Sequence, residues 1–248
     1  SLGVLKFFAV SMHVSPLIAN IIAIGFSTVT NFSGCRWIVF NKSFRLPGFF
    51  RSRIFLAVLV VKIVFAFLLA SDFMTQLFVP FVNYFIANPL ANPYQHFFDI
   101  GSLKSFPYPP LMLFIVSIPG ILFGMLGGGI FFDVFAIRIS LLAADIAIFA
   151  ILYRIMEGRE KYTLLLYWAS PVVFYITYIH GQLDMIPVAL LFASAYFLKN
   201  KNYVKSSLLF GAALATKSFV LVALPIYLIY LLRKKLSYRK IAGLLVII

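Results

Sequence analysis

A few polar side chains lie where long apolar segments of this 248-residue chain end, and their types suit proton transfer and anion binding. Asp72 directly follows the apolar stretch "FAFLLAS". A carboxylate at such a point could act as a general base towards a hydroxyl group, or it could simply end a helix in water. Lys217 lies in "GAALATKSFVLVALP" with apolar neighbours on both sides. A lysine there is costly and predicts a functional site, where a lipid-borne phosphate would suit its ammonium group. The alternative is a side chain that extends to the lipid headgroups.

A second group of polar residues occurs in "HGQLD", between two strongly apolar segments. Gly181 permits a tight turn, and His180, Gln182 and Asp184 supply hydrogen-bond donors and acceptors. This pattern indicates either a binding site or a polar turn that joins two membrane spans.

Two aromatic motifs precede this group. "FPYPP" contains three prolines, which hold Tyr108 in an extended and rigid segment. "NPYQHF" adds Tyr94 and His96. The first motif could instead be a stiff start to the next apolar segment, and His96 taken alone is typical of a surface residue.

Three charged residues, Asp133, Arg138 and Asp145, occur within one apolar segment. Arg138 and Asp145 are seven residues apart and therefore share a helix face, which favours a structural ion pair inside the membrane over a role in a site. No spacing of His, Cys and Asp indicates a metal site. A divalent metal stays open as a cofactor, but no convincing ligand pair identifies one. Cys35 is the single cysteine, so no disulfide framework is expected.

Composition defines the elements that must position these residues. Hydrophobic residues make up 63% of the chain and charged residues 11%, whereas a soluble domain has about 25% charged residues. Apolar runs long enough to cross a bilayer as helices recur along the chain. We therefore predict an all-α fold, that of a polytopic helical membrane protein.

The net charge of +14 comes from short basic loops rather than from one basic face, which argues against nucleic-acid binding. Such loops are typical of the cytoplasmic side. They are residues 41–53, 154–161, 199–205 and 233–240.

This orientation predicts a large external loop with short interfacial helices from residue 72 to about 107. It also requires residues 109–129 to form a re-entrant hairpin, broken at Pro119–Gly120 and 127–129, or a helix lying in the interface. Asp72, Tyr108, Asp184 and Lys217 then all lie at the external face.

The order of these motifs resembles the GT-C superfamily of integral-membrane glycosyltransferases, especially enzymes that use polyprenyl-phosphate mannose or glucose. The resemblance covers about residues 50–248, and "GQLD" with "FGAALATK" carries most of it. It implies an inverting transfer from a lipid-phosphate sugar, with an acidic residue of the first external loop as base. Asp72 occupies that place. The second acidic residue often found nearby in the family does not follow Asp72 closely here.

The first part of the chain resembles the GtrA family, whose helix pairs end in a pattern similar to "NFSGCRWIVF" here, with Cys35 in place of the usual Asn. Such domains accompany glycosyltransferases that use polyprenyl phosphates. We expect the last two GtrA-like helices at 1–42, a cytoplasmic basic linker at 43–53 and the truncated N-terminal part of a GT-C domain at 54–248. Both ends resemble cuts through helices, so we expect a piece of a longer polypeptide.

The combined interpretation is a membrane glycosyltransferase that moves a hexose, with mannose as the first choice, to an acceptor hydroxyl at the external face. The acceptor is a glycan, a lipid or a protein, and the membrane that of a prokaryotic cell. Asp72 is the expected base, Lys217 attracts the donor phosphate, and Tyr108 shapes the pocket. The remaining expected substrate-binding residues are Tyr94, His96, His180, Gln182 and Asp184. The alternatives are a GtrA-like flippase or transporter of lipid-linked sugars and a structural membrane subunit.

Overall fold

The structure is a computed structural model that describes residues 48–102, 104–124, 129–157, 159–234 and 236–248. The chain divides into two units, Ser1–Phe50 and Arg51–Ile248. Of the first unit, only the start of a 3₁₀ turn at Gly48–Arg51 is described. The predicted GtrA-like helices at 1–42, with Cys35, and residues 43–47 of the basic linker therefore lie outside the described residues. All the α-helices that the structure describes belong to the second unit.

Every regular element among the described residues of this unit is helical, so the predicted all-α class is confirmed. Helix α1, Arg53–Leu68, is capped at its N-terminus by Ser52, whose hydroxyl accepts a hydrogen bond from the Phe55 amide. Helix α2, Phe73–Ala87, follows a short extended break and is bent by 61° from α1. Helix α3, Pro93–Asp99, is capped by Asn92.

Residues 72–107 contain two helices, α2 and α3, in agreement with the short helices predicted for this stretch, and α2 packs into the bundle. Side chains of α2 lie in the main hydrophobic core, including Met74, Phe81 and Val82, which are at most 2% exposed. The segment is held against the bundle by this burial. Its external location stays a prediction.

Helices α4, Pro110–Gly124, and α5, Ile130–Ile155, are joined by a short link. The Ser140 hydroxyl of α5 donates to the Ile115 carbonyl of α4. The end of α4 and the start of α5 are close in the chain, and this contact joins positions further back along each helix. The two helices therefore pack side by side in antiparallel orientation.

The predicted helix break at Pro119–Gly120 is wrong, because α4 continues through it. Pro119 has no amide hydrogen to donate to the carbonyl four residues earlier, which belongs to Ile115. That carbonyl accepts from Ser140 at 3.0 Å instead. Gly120 also fits a close contact, since a Cβ there would lie 2.8 Å from Cδ1 of Ile86 on α2. Residues 125–128 lie outside the described part of the chain, so the break expected at 127–129 is untested there, and the re-entrant or interfacial placement stays a prediction.

The remaining helices form the second half of the bundle. They are α6 (Glu160–Trp168), α7 (Pro171–His180), α8 (Met185–Lys199), α9 (Tyr203–Thr216), α10 (Ser218–Arg233) and α11 (Tyr238–Ile247). Helices α6 and α7 are bent by 43° at a break before Pro171. Helices α8 and α9 pack closely through hydrogen bonds between buried Ser194 and Ser206.

By length and composition, α5 is able to cross a membrane on its own. The pairs α1–α2 and α6–α7 reach the required length only if each bent pair counts as one span. Shorter apolar helices occur in α4, α8 and α10. Many apolar side chains on these helices are exposed, as expected for surfaces that face lipid.

Candidate active site

The ends of α1 and α7 meet directly. The Ser71 hydroxyl donates to the His180 carbonyl at 2.6 Å, although the two residues are 109 positions apart. Asp72 is the next residue and its side chain is exposed. The structure therefore places Asp72 beside the turn that begins the "HGQLD" motif.

Gly181 suits this turn chiefly because of its backbone conformation. Its φ of +76° is a left-handed conformation that side chains other than glycine rarely adopt. A Cβ added to it would lie 2.6 Å from Cε of Met74, the far end of a flexible side chain that would have to shift.

The other end of the motif forms an ion pair. Lys217 Nζ lies 2.5 Å from Asp184 Oδ1, and the two side chains are 33% and 32% exposed. Asp184 immediately precedes α8, and Lys217 immediately follows α9. Because α8 and α9 pack side by side, the pair lies at one end of that helix pair, within reach of a ligand.

Tyr108 and Tyr94 extend this group. Lys217 Nζ lies 5.7 Å from the centre of the Tyr108 ring, close enough for a cation–π contact. The Tyr94 hydroxyl donates to the Tyr108 carbonyl at 2.9 Å. Burial and the charge of Asp184 raise the pKa of the Tyr108 phenol to about 12, so the phenol stays neutral near pH 7.

The other predicted residues make separate contacts. The His180 ring lies parallel to Tyr175 with 6.3 Å between ring centres and meets Phe73 edge-on. The His96 ring stacks on Tyr84 of α2 at 4.0 Å. Gln182 exposes its side chain. The structure therefore groups Tyr94, Tyr108, Asp184 and Lys217, places Asp72 beside the start of the same motif, and leaves His96 stacked against Tyr84.

The predicted ion pair between Arg138 and Asp145 is wrong, although both residues lie on α5. Asp145 Oδ2 pairs with Lys62 Nζ at 2.6 Å, and neither side chain is exposed. Arg138 contacts backbone carbonyls. Spacing along a helix fixes the face of a residue, but its partner depends on which helix packs against that face.

Sequence reasoning missed the cluster around Lys62. The hydroxyls of Tyr167 and Tyr178 donate to Asp145 at 2.9 and 2.7 Å, and Lys62 Nζ lies 3.5 Å from the centre of the Trp168 ring. The cluster joins α1, α5, α6 and α7. A signal was present, because Lys62 is a lone charge in the middle of an apolar helix.

Metal-binding groups of three or more His, Cys, Asp or Glu side chains are absent from the described ranges.

One comparison with known proteins gives a match. Residues 132–247, slightly less than half of the chain, match the sequence model of a family described as "ALG6, ALG8 glycosyltransferase family". No curated protein and no solved structure matches the chain. The matched region contains Asp184 and Lys217 and ends before the chain does. Together with the helical fold, this similarity supports a membrane glycosyltransferase.

Proposed function

We propose that the protein transfers a hexose, with mannose as the first choice, from a polyprenyl phosphate to an acceptor hydroxyl at the external face of a membrane. The observation that carries the proposal is the similarity of residues 132–247 to a glycosyltransferase family, because the accessible Asp184–Lys217 pair lies within them. The resemblance of residues 1–42 to the GtrA family, whose domains accompany glycosyltransferases that use polyprenyl phosphates, is consistent with the same class of donor.

Lys217 would bind the donor phosphate. Its present partner is a carboxylate, and a phosphate group offers more acceptor oxygens to an ammonium donor than a carboxylate does. When the phosphate replaces Asp184 as the partner of Lys217, the carboxylate of Asp184 becomes free to accept hydrogen bonds from sugar hydroxyls. Both side chains are partly exposed, so the exchange needs no opening of the core.

Asp72 would act on the acceptor. Its carboxylate is exposed and makes no helix-capping hydrogen bond. It would take the proton of the acceptor hydroxyl while the oxygen attacks the anomeric carbon. The bond from that carbon to the phosphate oxygen breaks, and polyprenyl phosphate leaves with the electron pair. Attack opposite to the leaving group inverts the anomeric configuration.

Membranes that carry the protein, incubated with polyprenyl phosphate bearing labelled mannose or labelled glucose, test this proposal. The expected result is label in a new glycosidic bond, with matched membranes that lack the protein as control. A flippase would move labelled lipid across the bilayer without forming a bond. A structural subunit would do neither. Either of these outcomes would contradict the proposal.

A further inference from the structure

Arg138 joins two helix ends at the candidate site. It lies on α5 and is completely buried. Nη1 donates to the carbonyls of Phe65, Ala66 and Leu69 at the end of α1, the first two at 3.2 Å. Nη2 donates to the Ile179 carbonyl at the end of α7, at 3.3 Å.

The carbonyls of Ala66, Leu69 and Ile179 need such a donor, whereas the Phe65 carbonyl also accepts from the Leu69 amide. The last carbonyls of a helix have no partner within the helix, and leaving them unpaired in an apolar interior is costly. A cation is also favourable at a helix C-terminus because of the helix dipole. Among the residues that the structure describes, Arg138 forms no salt bridge with a carboxylate. The charge of its guanidinium group is balanced among them by the C-terminal ends of α1 and α7.

The guanidinium lies where two chain turns meet. Residues 69–72 lead from α1 to Asp72, and residues 180–184 form the "HGQLD" turn. Arg138 Nη2 is 3.6 Å from the position that a Cβ of Gly181 would occupy. The hydrogen bond from Ser71 to the His180 carbonyl joins the same two turns. The guanidinium group of Arg138 and the hydroxyl group of Ser71 therefore form two independent links between the turns.

We propose that Arg138 is a positioning residue that sets the place of Asp72 relative to the "HGQLD" turn. The catalytic consequence rests on the proposed function, whereas the geometric part does not. A lysine could not replace it, because one ammonium group lacks the planar fork that reaches the carbonyls of two helices at once.

Two measurements on the whole protein, in a Cys35→Ser background, test this inference. The first is the distance between spin labels at Gln76→Cys on α2 and Val172→Cys on α7, both exposed positions outside the candidate site. The distribution should be narrow with Arg138 and clearly broader or shifted in both Arg138→Lys and Arg138→Met. Arg154→Met, an exposed arginine on the same helix, is the control and should leave the distribution unchanged.

The second measurement is steady-state transfer without spin labels. We expect kcat to fall on the order of 100-fold in Arg138→Lys, as a displacement of about 1 Å can produce. The donor KM should stay essentially unchanged, because Lys217 and Asp184 are held by α8 and α9, whereas the hydrogen bonds of Arg138 reach the ends of α1 and α7. A merely structural role would instead lower the amount of active enzyme and leave the kcat of the folded fraction unchanged.

The outcomes separate the two proposals. An unchanged distance distribution in Arg138→Lys overturns the positioning role, whatever the activity. A changed distribution in a protein that shows no transfer even with Arg138 supports the positioning role and contradicts the proposed function. If Arg138→Met does not fold, Arg138→Lys and Ser71→Ala decide, since Ser71→Ala removes the second link and should also broaden the distribution.

Discussion

Lys217 and Asp184 face each other with 2.5 Å between Nζ and Oδ1, and about a third of each side chain is open to solvent. The pair lies at the junction of two closely packed helices, beside the ring of Tyr108. A lysine held in this way is already oriented for an anion, and its carboxylate partner occupies the place that a donor phosphate would take.

Removal of one partner of this pair should therefore have opposite effects on donor binding. Lys217→Met should raise the Kd for polyprenyl phosphate about tenfold, as expected for one charge-assisted contact of roughly 1.4 kcal/mol or more. Asp184→Asn should lower that Kd, because the phosphate no longer competes with a carboxylate, while transfer falls. Binding of polyprenyl phosphate in detergent measures both. Lys205→Met is the matched control, because Lys205 lies at the opposite end of α9 from Lys217. A weaker affinity in Asp184→Asn would show that the carboxylate itself helps to bind the phosphate.

The buried cluster of Lys62 and Asp145 should dominate stability. Lys62→Met or Asp145→Asn alone leaves one buried charge without its partner, which costs on the order of 3–5 kcal/mol. The double variant Lys62→Met/Asp145→Asn removes both charges and keeps an acceptor for the tyrosine hydroxyls, so it should be clearly more stable than either single variant. Thermal unfolding in detergent measures the three. Additive losses in the double variant would mean that the two side chains are not coupled.

Tyr108 should contribute its ring rather than an ionised oxygen. Its pKa is raised to about 12, so deprotonation would begin only as the pH rises towards that value. Tyr108→Phe should keep most of the activity and the same pH profile around neutrality. Tyr108→Leu removes the aromatic face beside Lys217 and should raise the donor KM several-fold, in line with about 0.5–1 kcal/mol for an exposed cation–π contact. A pH profile that changes shape in Tyr108→Phe would contradict this role.

The predicted orientation assigns positions 90 and 199 to opposite sides of the membrane. Leu90 and Lys199 are exposed, and single Cys variants at each position in a Cys35→Ser background are suited to labelling with an impermeant thiol reagent. Reagent outside intact cells should label Leu90→Cys and leave Lys199→Cys unmodified until the membrane is opened. Labelling of both from one side would contradict the orientation.

The helical class followed from the sequence because long apolar runs have few other structures available in lipid. Asp184 and Lys217 were placed at one face by charge counting alone, and the structure brings them into contact. Their roles stay predictions. The continuity of α4 through Pro119 could not be foreseen, because the unpaired carbonyl of Ile115 is satisfied by Ser140, which lies beyond the next link in the chain.

The partners of buried charges were also hard to predict, because they lie on other helices, far away in the chain. Asp145 shares a face with Arg138, yet it pairs with Lys62, 83 residues earlier. Arg138 binds carbonyls, which carry no signal in the sequence. Lys62 itself was recognisable by the criterion that identified Lys217, since each is a lone lysine in an apolar segment.

Asp72 is proposed to remove the proton of the acceptor hydroxyl. The most direct test is the rate of hexose transfer from bound, labelled donor in Asp72→Asn, measured in a single turnover beside the binding of polyprenyl phosphate. We predict that the rate falls by about 10²–10⁴-fold, as expected for loss of a general base. Donor binding and thermal stability should be unchanged, and Asp99→Asn, another exposed carboxylate in the same segment, should transfer normally. Near-normal transfer by folded Asp72→Asn would contradict the account.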